Sequence, residues 1–365
     1  MSKIAILDTS VSPKHLHCQG FHVYNVCGCR EKQNFLERSH GTVCARVLDY
    51  FASNYELFCI QIMESKAEIR GKPMGEIRDL ERGLRLCLEL DVDIVCMSAV
   101  TSLLSDSGII YSAAKKLAEK SILIAALDNK RFFSVPTVYP FVLGVQSDED
   151  NILSPGELAY NDKDLFCAGL YVNCKIPLLE DFGSMPSNSY AVPVVAARIN
   201  DWKNQGKDIG EEIQRLQSYP VHGMLEEVAI KRKLGIRRNL PLAVLYASDN
   251  ENSYEVCQRA FDRLYADYGV QATALCSMAL GVDVRFRTTE VLKELKNEVL
   301  FMEYCYKTDL IFLIIRKKER DEVMRQIDAD LEIVLKEERV SILYEYFHEE
   351  GSADNLADLV YRILQ

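Results

Sequence analysis

The chain has 365 residues, 48% hydrophobic and 27% charged, enough for one large domain and a smaller one, each with its own core. A formal net charge of −11 offers no basic face to neutralise phosphates, which excludes a general nucleic-acid binder or a ligand of anionic membranes. No apolar run reaches the ~18 to 20 residues that span a bilayer, so no membrane-spanning helix is expected.

Along the first 130 residues, strands and helices are expected to alternate. Residues 3–7 form an apolar strand, and residues 40–53 a helix with Val43, Val47, Leu48 and Phe51 at helical spacing. A strand follows at 57–63. Residues 75–90 read as an amphipathic helix carrying Ile77, Leu80, Leu84 and Leu88 on one face. A buried strand at 92–97, a helix at 109–120 and a strand at 122–127 continue the pattern. Such alternation predicts an α/β fold whose parallel sheet carries helices on both faces. Ligands of these sheets bind beyond the carboxyl ends of the strands, where Asp8 and the segment after Ala126 lie.

Short apolar runs at 142–145 and 165–172 precede a helix at 189–202, in which Pro193 is read as a first-turn residue. Residues 1–203 are therefore one domain and the charged segment 204–235 a helical connector, interrupted at Tyr219-Pro220. A second, smaller α/β domain is expected over 236–365. Its strands fall at 240–246, 272–277, 309–315 and 340–346, and its helices at 253–268, 289–304, 318–337 and 353–364. The turn after its first strand, Ala247-Ser248-Asp249-Asn250-Glu251-Asn252-Ser253, has no glycine and two acids, which is wrong for a phosphate cradle. A binding role suits this domain better than a second catalytic centre.

The twelve cysteines are scattered, and several fall in core elements (Cys59, Cys96, Cys257, Cys276), as suits free thiols in a reducing compartment. No secretory leader precedes the first strand, so the expected location is cytoplasmic. Cys18, Cys27 and Cys29 crowd one segment with His15, His17 and His22. Their spacing lacks the paired ligands of a zinc site, so neither a metal nor any other cofactor is assigned.

Three motifs carry the chemistry. Ile6-Leu7-Asp8-Thr9 ends an apolar strand in an acid, Ser39-His40-Gly41-Thr42 opens a helix with a histidine, and Ser189-Tyr190-Ala191-Val192-Pro193 opens another with a serine. Taken singly, each has a plain structural reading, because caps and turns favour the same residue types. In this order, with Asp93-Ile94-Val95-Cys96-Met97-Ser98, Ile124-Ala125-Ala126-Leu127-Asp128-Asn129 and Tyr139-Pro140-Phe141-Val142 between them, the first 200 residues resemble the subtilisin-like serine proteases.

The resemblance implies a subtilisin-like parallel sheet and a Ser-His-Asp mechanism. Ser189 would be the nucleophile, His40 its base, and Asp8 the group that orients the imidazole. Asn129, with the Ser189 N–H, would donate to the oxyanion. The implied activity is a serine endopeptidase acting on a peptide. Divergent, unprocessed members of this kind trim leaders from ribosomally made precursor peptides, and a homo-oligomer is compatible with the reading. With no inhibitory pro-segment expected, control falls to narrow specificity or to the second domain.

Departures surround the motifs. Ser10 stands where glycine is usual, Val43 and Arg46 where His and Gly are, Asp128 for glycine, and Ser187-Asn188 for Gly-Thr before the serine. Ser184, in Gly183-Ser184-Met185, is a rival nucleophile that lacks the following Ala-x-Pro. The competing functional class is a catalytically inactive pseudoprotease that binds a peptide as a scaffold.

Overall fold

The structure, a computed structural model, describes residues 1–27, 37–69, 72–220, 233–235, 238–247, 252–278, 283–289, 294–336, 338–345 and 347–365. It divides into two compact units, Met1–Ser102 with Asp106–Val221, and Leu103–Ser105 with His222–Gln365. Both are α/β, each with a mostly parallel sheet.

In the first unit β1 (Ser2–Asp8) lies between β3 (Tyr55–Gln61) and β6 (Ile94–Met97), parallel to both. Its other strands are β2 (Gly20–Asn25), β7 (Ile122–Ala126), β8 (Val142–Ser147), β9 (Leu158–Tyr160), β10 (Leu170–Val172) and β11 (Gln217–Ser218). The sheet runs β11-β9-β10-β8-β7-β6-β1-β3-β2 among the described residues, and only the β9–β10 pairing is antiparallel. A separate ribbon pairs β4 (Glu64–Ile69) with β5 (Lys72–Met74).

Strands buried on both faces need continuous apolar runs rather than alternation, and Ile4 to Leu7 and Ile94 to Met97 supply them. One face is covered by α1 (His40–Phe51) and α5 (Asn188–Asn204), whose Val43, Val47, Leu48, Ala191, Val194 and Val195 pack on Ile4, Ile6, Ile94 and Ile124. The helices α2 (Ile77–Leu90) and α3 (Ser107–Ala118) pack against each other and bury Leu84, Cys87, Ala114 and Leu117. α4 (Pro177–Asp181) is a short helix ahead of α5. Residues 204–220, expected in a helical connector, instead hold α6 (Ile209–Gln214) and the edge strand β11, which pairs with β9. They belong to the first unit. Residues 221–232, the rest of that segment apart from 233–235, lie outside the described residues.

The second unit has the strand order β14-β13-β15-β12-β16-β17-β18. Here β12 is Leu242–Ala247, β13 Ala272–Cys276, β14 Phe286–Thr288, β15 Leu310–Arg316, β16 Leu331–Lys336, β17 Arg339–Tyr344 and β18 Phe347–Ser352. The pairs up to β12–β16 are parallel, and β16–β17 and β17–β18 antiparallel. Its helices are α7 (Asn252–Tyr268), α8 (Leu295–Cys305), α9 (Arg320–Met324) and α10 (Leu356–Leu364). Phe261, Phe312, Ile314, Ile333, Leu356 and Val360 share one core.

The helix expected over 318–337 is corrected here. It ends at Met324, and β16 replaces its second half. The reason lies in periodicity: Leu331, Ile333 and Leu335 alternate with less buried neighbours, a two-residue repeat that fits a strand. No helix among the described residues is long and apolar enough to cross a membrane.

Candidate active site

The carboxyl ends of β1, β6 and β7 converge beneath the first turns of α1 and α5, and the first unit's candidate residues gather there. Asp8 is the last residue of β1 and fully buried. Its carboxylate accepts the Thr9 N–H at 2.7 Å.

Helix α1 starts at His40 because Ser39 caps it, accepting the Thr42 N–H at 3.2 Å while its own hydroxyl donates to Ser10 O at 2.5 Å. Gly41 lets this turn press onto the β1 exit. A Cβ there would lie 2.5 Å from Thr9 O, whereas the glycine N–H donates to Thr9 Oγ1 at 2.9 Å. The result fixes the imidazole: His40 Nδ1 lies 2.9 Å and 2.8 Å from the two Asp8 oxygens.

Burial alone would lower the basicity of His40. The Asp8 carboxylate, by its charge and its hydrogen bond, outweighs burial and holds the imidazole well above its ordinary value of 6.5. Cys44, one turn along α1, places Sγ 3.8 Å from His40 Nδ1 and 3.9 Å from Asp8 Oδ2. Burial pushes its thiol upward, so it is a neutral S–H.

Ser189 is the second residue of α5 and only 9% exposed. Its hydroxyl faces Ser98 O at 3.5 Å, and Ser98 Oγ in turn donates to Ser189 O at 2.9 Å. Helix α5 begins at Asn188, so Pro193 falls in its second turn rather than its first. The missing Pro193 N–H is the one that would have bonded to Ser189 O, and the Ser98 hydroxyl takes its place. Asp8 and His40 are thus bonded, and Tyr190 stacks on His40 with ring centroids 5.3 Å apart. Among the described hydrogen bonds, none joins Ser189 Oγ to His40.

Asn129 sits beyond β7. Its Oδ1 accepts the Asn188 N–H at 3.1 Å, which leaves its amide NH2 as a donor beside the N-terminus of α5. Helix first turns leave N–H groups unbonded, and that of Ser189 has no acceptor among the described residues. Asn188 anchors the turn, accepting from Ser147 N at 2.8 Å and donating to Leu127 O at 3.0 Å.

Three residues singled out in the sequence, Asp128, Ser187 and Ser184, have plain local settings. Asp128 caps its own turn by accepting the Lys130 N–H at 2.8 Å. Ser187 is extended, at φ −159° and ψ 166°, a conformation any residue adopts. Ser184 meets Tyr190 Oη at 3.4 Å.

Of the histidine and cysteine group around residues 15 to 29, Cys29 lies outside the described residues. His17 Nδ1 bonds to Asp49 at 2.8 Å, and His22 stacks on Phe58. Ser98, Cys44 and Tyr190 join the site although no motif in the sequence marks them as part of it. Ser98 is legible in the sequence as the end of the Asp93 to Ser98 segment that carries part of the resemblance, and nothing local marks Cys44 as adjacent to Asp8.

No protein-family model matches the chain, and neither does any curated protein. Among solved structures it is similar to the prenylagaramide maturation protease PagA, with a TM-score of 0.38 and 18% identity over 57% of this chain and 78% of that one. It is also similar to the PatG macrocyclase in complex with peptide, with a TM-score of 0.34 and 16% identity over the same shares.

Proposed function

We infer that the first unit is a serine endopeptidase acting on a peptide or precursor peptide. The observation that carries this reading is the buried Asp8 carboxylate held by both oxygens on His40 Nδ1, beside the first turn that bears Ser189. Asp8 fixes the tautomer with the proton on Nδ1, so Nε2 is the basic nitrogen. In this mechanism the Ser189 hydroxyl turns from Ser98 O to that nitrogen, which takes the proton as Oγ attacks a peptide carbonyl. Hydrogen bonds of this kind are commonly loose before substrate binds.

The developing oxyanion is received by the Asn129 amide and the Ser189 N–H. His40 then delivers its proton to the leaving amine, and water repeats the sequence to release the acyl group. A precursor peptide as substrate rests on the family resemblance of the sequence.

A second reading, a pseudoprotease that holds a peptide uncut, draws on one observation: Ser189 Oγ is directed at Ser98 O rather than at His40. Incubating the full chain with a diverse mixture of peptides and sequencing the new termini separates the two. Cleavage that disappears in Ser189→Ala supports the endopeptidase. Peptide retention without any new terminus supports the scaffold.

A further inference from the structure

Cys44 has no task in the endopeptidase mechanism, yet its sulfur lies against the Asp8–His40 pair. The three atoms His40 Nδ1, Asp8 Oδ2 and Cys44 Sγ form a triangle with sides of 2.8, 3.8 and 3.9 Å. Among the described residues this is the group of three or more potential ligands that converges to within 4.8 Å.

A point equidistant from all three atoms lies about 2.1 Å from each, close to the ~2.0 to 2.3 Å that zinc takes to nitrogen, oxygen and sulfur. Little rearrangement is needed. The N–O edge widens by a few tenths of an ångström as the hydrogen bond gives way, and the edges to sulfur shorten.

We propose that Asp8, His40 and Cys44 form a three-ligand site for a thiophilic divalent cation, zinc above all, and that its occupation shuts off the imidazole as a base. The ligand set mixes a nitrogen, a carboxylate and a thiolate, which suits zinc and not the hard cations calcium and magnesium. Binding releases the Sγ proton to solvent and displaces the Nδ1 proton, to solvent from the imidazolium or to Nε2 from the neutral ring. Entry is past His40, whose side chain is 23% exposed while Asp8 is fully enclosed. With Nδ1 on the metal, the ring can no longer be held by Asp8 in the tautomer and charge state that proton transfer needs. Inhibition rests on the endopeptidase reading; binding of the metal does not.

The test uses the full chain, reduced, with cobalt(II) as a spectroscopic probe and zinc as the competing ion. A cobalt–thiolate charge-transfer band should saturate at one equivalent in wild type and in Ser189→Ala, vanish in Cys44→Ala, and persist in Cys18→Ala and Cys27→Ala. Zinc should abolish the band and slow phosphonate labelling of Ser189 at least tenfold, reversibly on adding chelator. No band in wild type, or a band that survives in Cys44→Ala, would overturn the site, and labelling in those samples still reports on the hydrolase. A one-equivalent band in a chain that is not labelled even when metal-free and with chelator present supports the site while removing the endopeptidase reading.

Discussion

Ser98 and Ser189 are joined in both directions: the Ser98 hydroxyl donates to the Ser189 carbonyl at 2.9 Å, and the Ser189 hydroxyl lies 3.5 Å from the Ser98 carbonyl. The first contact exists because Pro193 cannot supply the helical N–H that Ser189 O would otherwise accept. In Ser98→Ala the buried Ser189 carbonyl loses its hydroxyl donor and keeps only the weak Cys44 thiol contact at 4.0 Å, at a cost of about 1 to 3 kcal/mol in unfolding free energy. Adding Pro193→Ala returns an N–H and should recover part of the loss. A denaturant double-mutant cycle reads the coupling, and strict additivity of the two substitutions would refute the link.

The charge on His40 sets a pH dependence. Its imidazole is held well above 6.5 by Asp8 against the effect of burial, so the neutral base accumulates only at higher pH. Phosphonate labelling in the presence of chelator should therefore rise with a midpoint above 6.5, and Asp8→Asn should shift that midpoint down. Stability moves the other way. A base whose folded value is raised contributes stability that is full below its unfolded value of about 6.5 and is lost as pH rises through the folded one. Unfolding free energies across that window should show the contribution in wild type and not in Asp8→Asn.

Asn129 performs two separable jobs. Its Oδ1 holds the Asn188 N–H, and its amide is the proposed oxyanion donor. Asn129→Asp keeps an acceptor for the helix and removes the donor. Peptide turnover should fall about 100- to 1000-fold, with unfolding free energy within about 0.5 kcal/mol of wild type. A turnover within twofold of wild type would take Asn129 out of the mechanism.

Tyr190 stacks on the imidazole at 5.3 Å. A ring pair of this kind is worth about 0.5 to 1.5 kcal/mol, so Tyr190→Ala should slow labelling roughly threefold to tenfold by loosening His40. The accompanying readout is the pH profile, which should broaden or shift if the ring positions the imidazole. An unchanged profile and rate would make Tyr190 a packing residue only.

Much of this site is local in the chain and so was legible there. An apolar strand ending in Asp8, a capped helix start at His40 and an apolar helix start at Ser189 each announce themselves within ten residues. Other features depend on residues far apart. Ser98 meets Ser189 across 91 positions, and Cys44 meets Asp8 across 36. No periodicity reports such pairings. Strand β16 was missed for a different reason: charged residues around Lys318 to Glu322 suggest a long helix, while the alternation of Leu331, Ile333 and Leu335 marks a strand only when read by itself.

The central claim is that Ser189 is a nucleophile activated by His40. Its most direct test is mass-spectrometric mapping of the full chain after reaction with a fluorophosphonate, with chelator present. One adduct on Ser189 is expected in wild type, with none in Ser189→Ala and at least a hundredfold slower formation in His40→Ala. An adduct on Ser184, or no adduct on a folded preparation, would contradict the account.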